Sequence, residues 1–420
     1  MDLWTDADAE RCIHDYAALN RYQKKHLCDF LNKKFPPSVF YRHVSWRRKA
    51  LVNAEEAKNI LARADQRYPR LFKSREIPGS AADLAGYAII LTAGGDGVRL
   101  RSSLREQGVD EESLHDFIKA TYPIPGFPKK FGSLHAGMAV IADLVSQAGF
   151  QIPVIITTGP EGSATSRVIP EEVAKHNSFG LSYVRTLYQG ERLHLTMDEK
   201  IVYTIIDGIP WPITHPDETG GPFVKLRKEG FSGTESAIEW LTSLGCTKII
   251  ALQATALFDP AIILSMAAAG KHSDCLGVGM LRSSFDKSDP FGTFIALERQ
   301  GRESVVIVEQ AIRNEATLSL MDITGRHYLP YNTGLYVFDI DLLRVNSLPD
   351  YATPPKEILP SLPKSPKAGY AATDLIALAK HPAVLAVEPS SYENIKTAAD
   401  LPRLSDLAQR YGIIDICKTM

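Results

Sequence analysis

The residue types most able to do chemistry sit in Leu91-Thr92-Ala93-Gly94-Gly95-Asp96-Gly97-Val98-Arg99-Leu100. Gly94, Gly95 and Gly97 let the backbone turn tightly and bring successive N–H groups against a phosphate, with no Cβ in the way. Arg99, two residues after the last glycine, adds a planar charge suited to phosphate oxygens. The segment lacks the Gly-Lys-Ser/Thr ending of a P-loop and the G-x-G-x-x-G spacing of a dinucleotide site. A second cation lies in Phe127-Pro128-Lys129-Lys130-Phe131-Gly132. Lys129 reads either as a solvated loop charge or as a point charge held rigidly enough to meet a second phosphate.

The elements that must position these groups follow from periodicity. Gly86 to Leu91 is a short apolar run ending in the glycine turn, the pattern of a strand buried in a parallel sheet. Comparable runs span 152–157, 181–187, 248–252, 276–281, 304–308, 334–338 and 384–387, with helical segments at 138–147, 234–244 and 260–269. Alternation of this kind predicts an α/β fold with a largely parallel sheet, in which ligands bind beyond the carboxyl ends of the strands. Residues 1–82 read as a charged, helical N-terminal region, with helices over 17–31 and 54–63 separated by Pro36-Pro37. Residues 83–345 form the expected central domain. Residues 346–420 form a C-terminal segment entered through the proline-rich stretch from Leu348 to Pro366.

Composition narrows the function classes. The 420 residues are 45% hydrophobic and 23% charged, an ordinary globular balance. Lys+Arg minus Asp+Glu is 47 − 49 = −2, so no basic excess points to nucleic acid or an anionic membrane. No apolar run approaches the roughly 20 residues of a membrane span. The acidic start lacks the basic and apolar regions of a signal peptide. Five scattered cysteines without a CxxC pair fit reduced thiols, and a cytoplasmic enzyme is the expectation.

The glycine loop followed by Pro128-Lys129 resembles the L-x-G-G-x-G-T-R-L-G … P-K signature of sugar-1-phosphate nucleotidyltransferases. Further segments resemble the UDP-glucose and UDP-N-acetylhexosamine pyrophosphorylase branch. Leu187-Tyr188-Gln189 is similar to F-x-Q, and Pro216 to Phe223 to P-x-G-N-G-G-x-Y. Tyr331-Asn332-Thr333-Gly334 is similar to the N-T-G segment, with Val308-Glu309 before it. Ser391 to Leu401 is similar to F-x-P-V-K-T-x-x-D-L. These segments keep the family's order from about Gln23 to Leu401.

The resemblance implies a Rossmann-like three-layer nucleotidyltransferase fold and a Mg²⁺-dependent reaction of UTP with a sugar 1-phosphate. It further implies catalytic roles for Arg99, Lys129 and Lys396, and nucleotide contacts from Gly94, Gly95, Gly97, Gln189, Gly220 and Gly221. Sugar-phosphate contacts would come from Thr255, Glu309, Asn332 and Gly334, and Asp374 would be a metal ligand. Small-molecule substrates, and neither nucleic acid nor membrane, would be its partners.

Departures from the pattern open other readings. Ala254 stands where the family carries an aspartate, and Ala cannot ligate Mg²⁺. A relative that binds nucleotide without turnover is therefore an alternative. Asp339-Ile340-Asp341 resembles the D-x-D of glycosyltransferases, or simply opens a helix. Asp259 is either a ligand or the start of a helix. Ser102 to Phe127 is an insertion that reads as a lid or a partner surface.

Overall fold

A computed structural model describes residues 2–95, 97–114, 117–228, 235–299, 302–359 and 362–420. The chain divides into two compact units. The first is built from Met1–Arg63, Gly190–Gly221 and Leu348–Ala372, the second from the remainder.

In the first unit, helix α1 (Arg21–Lys34) starts at Asn20, whose side chain exchanges hydrogen bonds with Gln23 in a capping box. Leu27 and Leu31, one turn apart, are fully buried. Pro37 does more than end this helix. It occupies the first position of α2 (Pro37–Arg63), where a missing N–H costs nothing, so the helix expected over 54–63 begins 17 residues sooner. Trp4, Leu27, Leu31, Phe35, Phe40 and Val44 pack with Leu193, Leu195 and Ile201. The helical region thus completes its core with side chains from beyond residue 190, and the unit does not follow the contiguous divisions 1–82, 83–345 and 346–420. Arg192 is buried with its guanidinium 4.4 Å from the Trp46 ring and 4.6 Å from that of Tyr370. Its charge faces Asp350 at 4.0 Å.

The second unit carries the sheet. Its strands are β1 (Leu71–Lys73), β2 (Tyr87–Thr92), β3 (Val154–Thr158), β4 (Val184–Tyr188), β5 (Lys248–Gln253), β6 (Ala256–Phe258), β7 (Cys275–Arg282), β8 (Tyr328–Asp339), β9 (Pro382–Val387) and β10 (Tyr392–Asn394). The main sheet runs β1-β9-β7-β8-β5-β2-β3-β4, and a hairpin of Thr293–Arg299 with Arg302–Val308 joins it beside β8. Pairs β5-β2, β2-β3, β3-β4, β7-β9 and β9-β1 are parallel; β8 runs antiparallel to both its neighbours. Helices α3 (Val98–Glu106), α4 (Ser133–Ala148), α5 (Ala164–Lys175), α6 (Ala261–Gly270) and α7 (Asp400–Arg410) accompany it. This is the mixed, mostly parallel α/β architecture that the strand-helix alternation predicts. Of the helix expected over 234–244, Ala237–Ser243 is helical, and Thr234 lies outside the described residues.

The insertion before Pro128 is anchored along part of its length. Leu104, Leu114, Phe117, Ile118, Ala120 and Ile124 all sit in the main hydrophobic core. Burial of that apolar surface fixes the stretch from Phe117 to Ile124 in place, which speaks against a free lid there.

Arg192→Ala should lower the stability of the chain by about 2 kcal/mol, since it removes a buried guanidinium that lies against two rings and faces the half-buried Asp350. Arg192→Lys should recover little, because an ammonium cannot lie flat on the rings. Urea midpoints of the three proteins measure both effects.

Candidate functional site

The register of the parallel strands lines up their carboxyl ends: Gln253 lies opposite Thr92, Thr92 opposite Thr157, and Thr158 opposite Tyr188. The glycine loop leaves β2 at this edge, Gln189 leaves β4 there, and Thr255 follows β5 there. A sheet of this kind places ligands at that edge.

Gly97 adopts φ +65°, the left-handed conformation that favours glycine, and begins α3. A Cβ on Gly94 would lie 2.7 Å from Oε1 of Gln189, so the loop backbone and the Gln189 amide are immediate neighbours. A Cβ on Gly95 would meet nothing within 4 Å, and that residue borders open space. Asp96 lies outside the described residues. Gly220 and Gly221 belong to the first unit. There the Gly220 N–H donates to the Tyr370 carbonyl at 2.8 Å, and a Cβ on Gly221 would lie 1.7 Å from Asp217 Oδ1. Both glycines are steric requirements of that turn.

Arg99 lies in the first turn of α3, with an exposed side chain. Lys396 follows β10, which pairs with β6; the Ile395 N–H donates to the Thr255 carbonyl at 3.0 Å, and Thr255 and Asn394 face each other at 3.3 Å. Asp400 accepts from the backbone N–H groups of Lys396 and Thr397 at 2.7 and 2.6 Å and fixes that turn. Ser103 of α3 accepts from the Ala398 N–H at 3.1 Å, tying the two segments together. Burial, then the charge of Arg99, pushes the Lys396 pKa down to about 8.

Lys129 departs from expectation. Its ammonium lies 6.0 Å from the Phe131 ring, and its charge acts on His176. Its described interactions do not reach Arg99 or Lys396. The lysine that does join them is Lys119, which sequence reading passed over. Its amine donates to the Ile395 carbonyl at 3.1 Å, and burial followed by Arg99 pushes its pKa down to about 8. The available signal was its setting. In Phe117-Ile118-Lys119-Ala120 one lysine interrupts an apolar run, where a solvated charge is out of place.

On the other side of β5, Gly334 adopts φ +78°, and a Cβ there would lie 1.8 Å from Nε2 of Gln253. Gln253 in turn accepts from the Asn394 amide at 2.7 Å. Gln253 is a second residue that sequence reading missed. Asn332 spends its side-chain oxygen on the Gly334 N–H and the Tyr336 hydroxyl, both at 2.9 Å. Burial raises the pKa of Glu309, and Asp374 rises to about 7 through burial and then the charge of Glu309. The two carboxylates therefore share one neighbourhood.

Whether these residues suit a divalent cation can be judged from their donors. Ala254 offers none: it is 2% exposed, its N–H donates to Thr92 and its carbonyl accepts from Ser133 Oγ at 2.7 Å. An aspartate introduced there would be buried in core, which removes Ala254→Asp as a simple repair. Asp259 caps α6 through the Ala261 N–H at 2.9 Å and is the helix-opening residue. Asp374 and Glu309 do fit, as hard oxygen donors whose mutual repulsion a cation would relieve. His135, Glu172 and His176 bring their ligand atoms within 4.8 Å, yet His135 Nδ1 accepts from the Gly132 N–H at 3.0 Å. That bond leaves Nε2 protonated and donating to Glu172 at 3.2 Å, so His135 offers a proton and not a lone pair.

Asp339 forms an ion pair with Lys248, and Asp341 one with Arg344 at 2.9 Å. Lys248 is the first residue of β5, five residues and roughly 17 Å from the carboxyl edge. The D-x-D reading as a glycosyltransferase metal site is corrected on that ground.

No family model matches the chain, and no curated protein matches it in sequence. Solved structures do. A UDP-N-acetylglucosamine pyrophosphorylase from Trypanosoma brucei, in complex with inhibitor, superposes with TM-score 0.68 at 14% identity over 95% of this chain and 82% of that one. A UDP-glucose phosphorylase from Trypanosoma brucei gives 0.58 at 16%, over 79% and 68%. A point mutant of UDP-glucose pyrophosphorylase from Leishmania major, in complex with UDP-glucose, gives 0.57 at 16%, over 80% and 70%. The chain thus has the fold of the UDP-sugar pyrophosphorylases, at the distance of a remote likeness.

Gly334→Ala should destabilise the chain by about 1–3 kcal/mol, from left-handed backbone and from displacement of Gln253. Gly95→Ala, with space around it, should cost less than about 1 kcal/mol. Thermal unfolding of the pair checks the contrast.

Proposed function

We propose that the chain joins UTP to a sugar 1-phosphate, giving a UDP-sugar and pyrophosphate. The observation that carries this reading is the gathering of Arg99, Lys119 and Lys396 around the loop that starts at Gly94, beside Gln189. In the reaction a phosphate oxygen of the sugar phosphate bonds to the α-phosphorus as the bond to the β-phosphate oxygen breaks. The nucleophile arrives as an anion, so no strong base is needed; alignment and charge neutralisation supply the catalysis.

In this reading the loop N–H groups and Arg99 hold the triphosphate, and Lys119 and Lys396 neutralise charge where both phosphates crowd. Gln189 faces the base, while Thr255, Asn332, Gly334 and Glu309 line the sugar side. Bound Mg²⁺ would supply further neutralisation, with Asp374 and Glu309 as the residues that hold it. The fold likeness supports the reaction class. The five unpaired cysteines support a reducing compartment such as the cytoplasm.

A pyrophosphate-release assay across nucleoside triphosphates and hexose 1-phosphates should give turnover with UTP. Binding of UDP-sugar without any pyrophosphate exchange would instead favour the non-catalytic reading, which the ligand-free Ala254 position supports.

Lys119→Ala and Lys396→Ala should each lower kcat by roughly a hundredfold or more, the scale of lost transition-state charge stabilisation. Lys129→Ala should cost less than about tenfold. The reverse order would return the second phosphate to Lys129.

Turnover should also follow a bell in pH. Lys119 and Lys396 carry their charge below about 8, so activity falls as pH rises through that value. Asp374 is a carboxylate above about 7, so activity falls as pH drops through that value. Asp374→Asn should flatten the acidic limb and leave the alkaline one.

A further inference from the structure

Three cations at one edge repel one another, and Lys396 must be held there against that repulsion. Burial and Arg99 both work against its charge; Asp400, Asp289 and Glu393 work for it. Asp400 already serves two backbone N–H groups and pairs with Arg403, and Glu393 also pairs with Arg403 at 3.3 Å. Asp289 pairs with Arg282 at 2.5 Å. Each acidic group is therefore shared with another partner.

The group that meets the amine directly is an aromatic face. Lys396 Nζ lies 3.1 Å from the centroid of the Phe291 ring. That ring stacks on Tyr331, with centroids 4.4 Å apart and planes 12° from parallel. The Arg282 guanidinium lies 4.4 Å from the same Tyr331 ring. The loop is fastened next to the stack, where the Asn332 N–H donates to the Gly292 carbonyl at 2.8 Å.

We propose that Phe291 is a positioning residue, whose ring face, braced by Tyr331 and Arg282, holds the Lys396 ammonium beside Arg99 in readiness for a phosphate. The inference rests on the proposed nucleotidyltransferase reading for its consequence, not for its geometry. Because Tyr331 precedes Asn332, the stack also ties the phosphate-side lysine to the segment on the sugar side. Phosphate would then meet a lysine already in place and already half withdrawn from water, and the ordering cost of binding falls.

The test separates the ring's π-face from its bulk. Amine-reactive labelling of Lys396 across pH 6 to 11, read by mass spectrometry, reports its pKa without requiring turnover. Phe291→Leu keeps an apolar cover but removes the π-face, and should lower that pKa by roughly 0.5 to 1, as expected from loss of a cation–π contact. Phe291→Tyr should leave it unchanged. Trifluorophenylalanine placed at 291 keeps the shape while weakening the ring quadrupole; it should also lower the pKa and covers the case of a Leu variant that misfolds. Inorganic pyrophosphate should bind Phe291→Leu about three- to tenfold more weakly than wild type by calorimetry, with Phe291→Tyr restoring affinity.

An unmoved Lys396 pKa in both ring-altered proteins overturns the proposal, as does an equal shift in Phe291→Tyr. If labelling responds as expected but wild-type protein neither binds pyrophosphate nor releases it from UTP, the contact stands and the nucleotidyltransferase reading fails.

Discussion

The constraint on which the site depends is the mutual repulsion of Arg99, Lys119 and Lys396, three cations gathered at one edge of the sheet. Water would screen such a group cheaply, but two of the three amines are withdrawn from water, and their charged forms are correspondingly disfavoured. The chain keeps them together with covalent and hydrogen-bonded scaffolding. Ile395, immediately before Lys396, accepts from the Lys119 amine and donates to Thr255. Ser103 holds Ala398 against the helix that bears Arg99. On the proposed reading, an anion entering this place would relieve repulsion already built into the fold.

The sheet makes that scaffolding possible. Parallel strands end in register, so the loops after β2, β4 and β5 emerge side by side. The antiparallel β8 in the middle of the sheet then brings Asn332 and Gly334 back across β5 and β7, so that Gly334 packs on Gln253. A glutamine side chain lies against each of Gly94 and Gly334, and at 334 the left-handed backbone favours glycine as well. A Cβ at 94 would push on the Gln189 amide, so the two positions are coupled.

Much of this was legible in the residues. The apolar run before the glycine turn marked a buried strand, the one before Gln189 a half-buried strand at the sheet's edge, and their alternation with helices gave the layer order. The glycines, Arg99, Gln189 and Lys396 were readable because their chemistry is local: each either turns the chain or ends a strand. Lys119 was not, since its role comes from a contact with Ile395, 276 residues away. Lys129 looked better because it follows a proline, yet a stiff loop determines nothing about the direction in which its side chain extends. The first unit was misjudged for a similar reason. Arg192 and Leu193 complete a core begun near Trp4, and no local pattern announces a partner so distant in sequence.

Ala254 shows how a departure from a family pattern acquires meaning only with its surroundings. Read alone, an alanine in place of an acid suggests a lost ligand that one substitution would restore. In the fold its methyl group is core, its backbone joins β2 to the start of α4, and Ser133 closes over its carbonyl. A carboxylate there would face an apolar lining of Leu91, Leu134, Leu252 and Leu257, where its charge is disfavoured. On the proposed reading a cation would instead meet the oxygens of Asp374 and Glu309, and those carboxylates resist ionising next to each other. A cation bound there would lower both pKa values, so its affinity must rise with pH in the range where Asp374 loses its proton. On the proposed reading, cation dependence and the acidic limb of activity would therefore be one equilibrium seen from two sides.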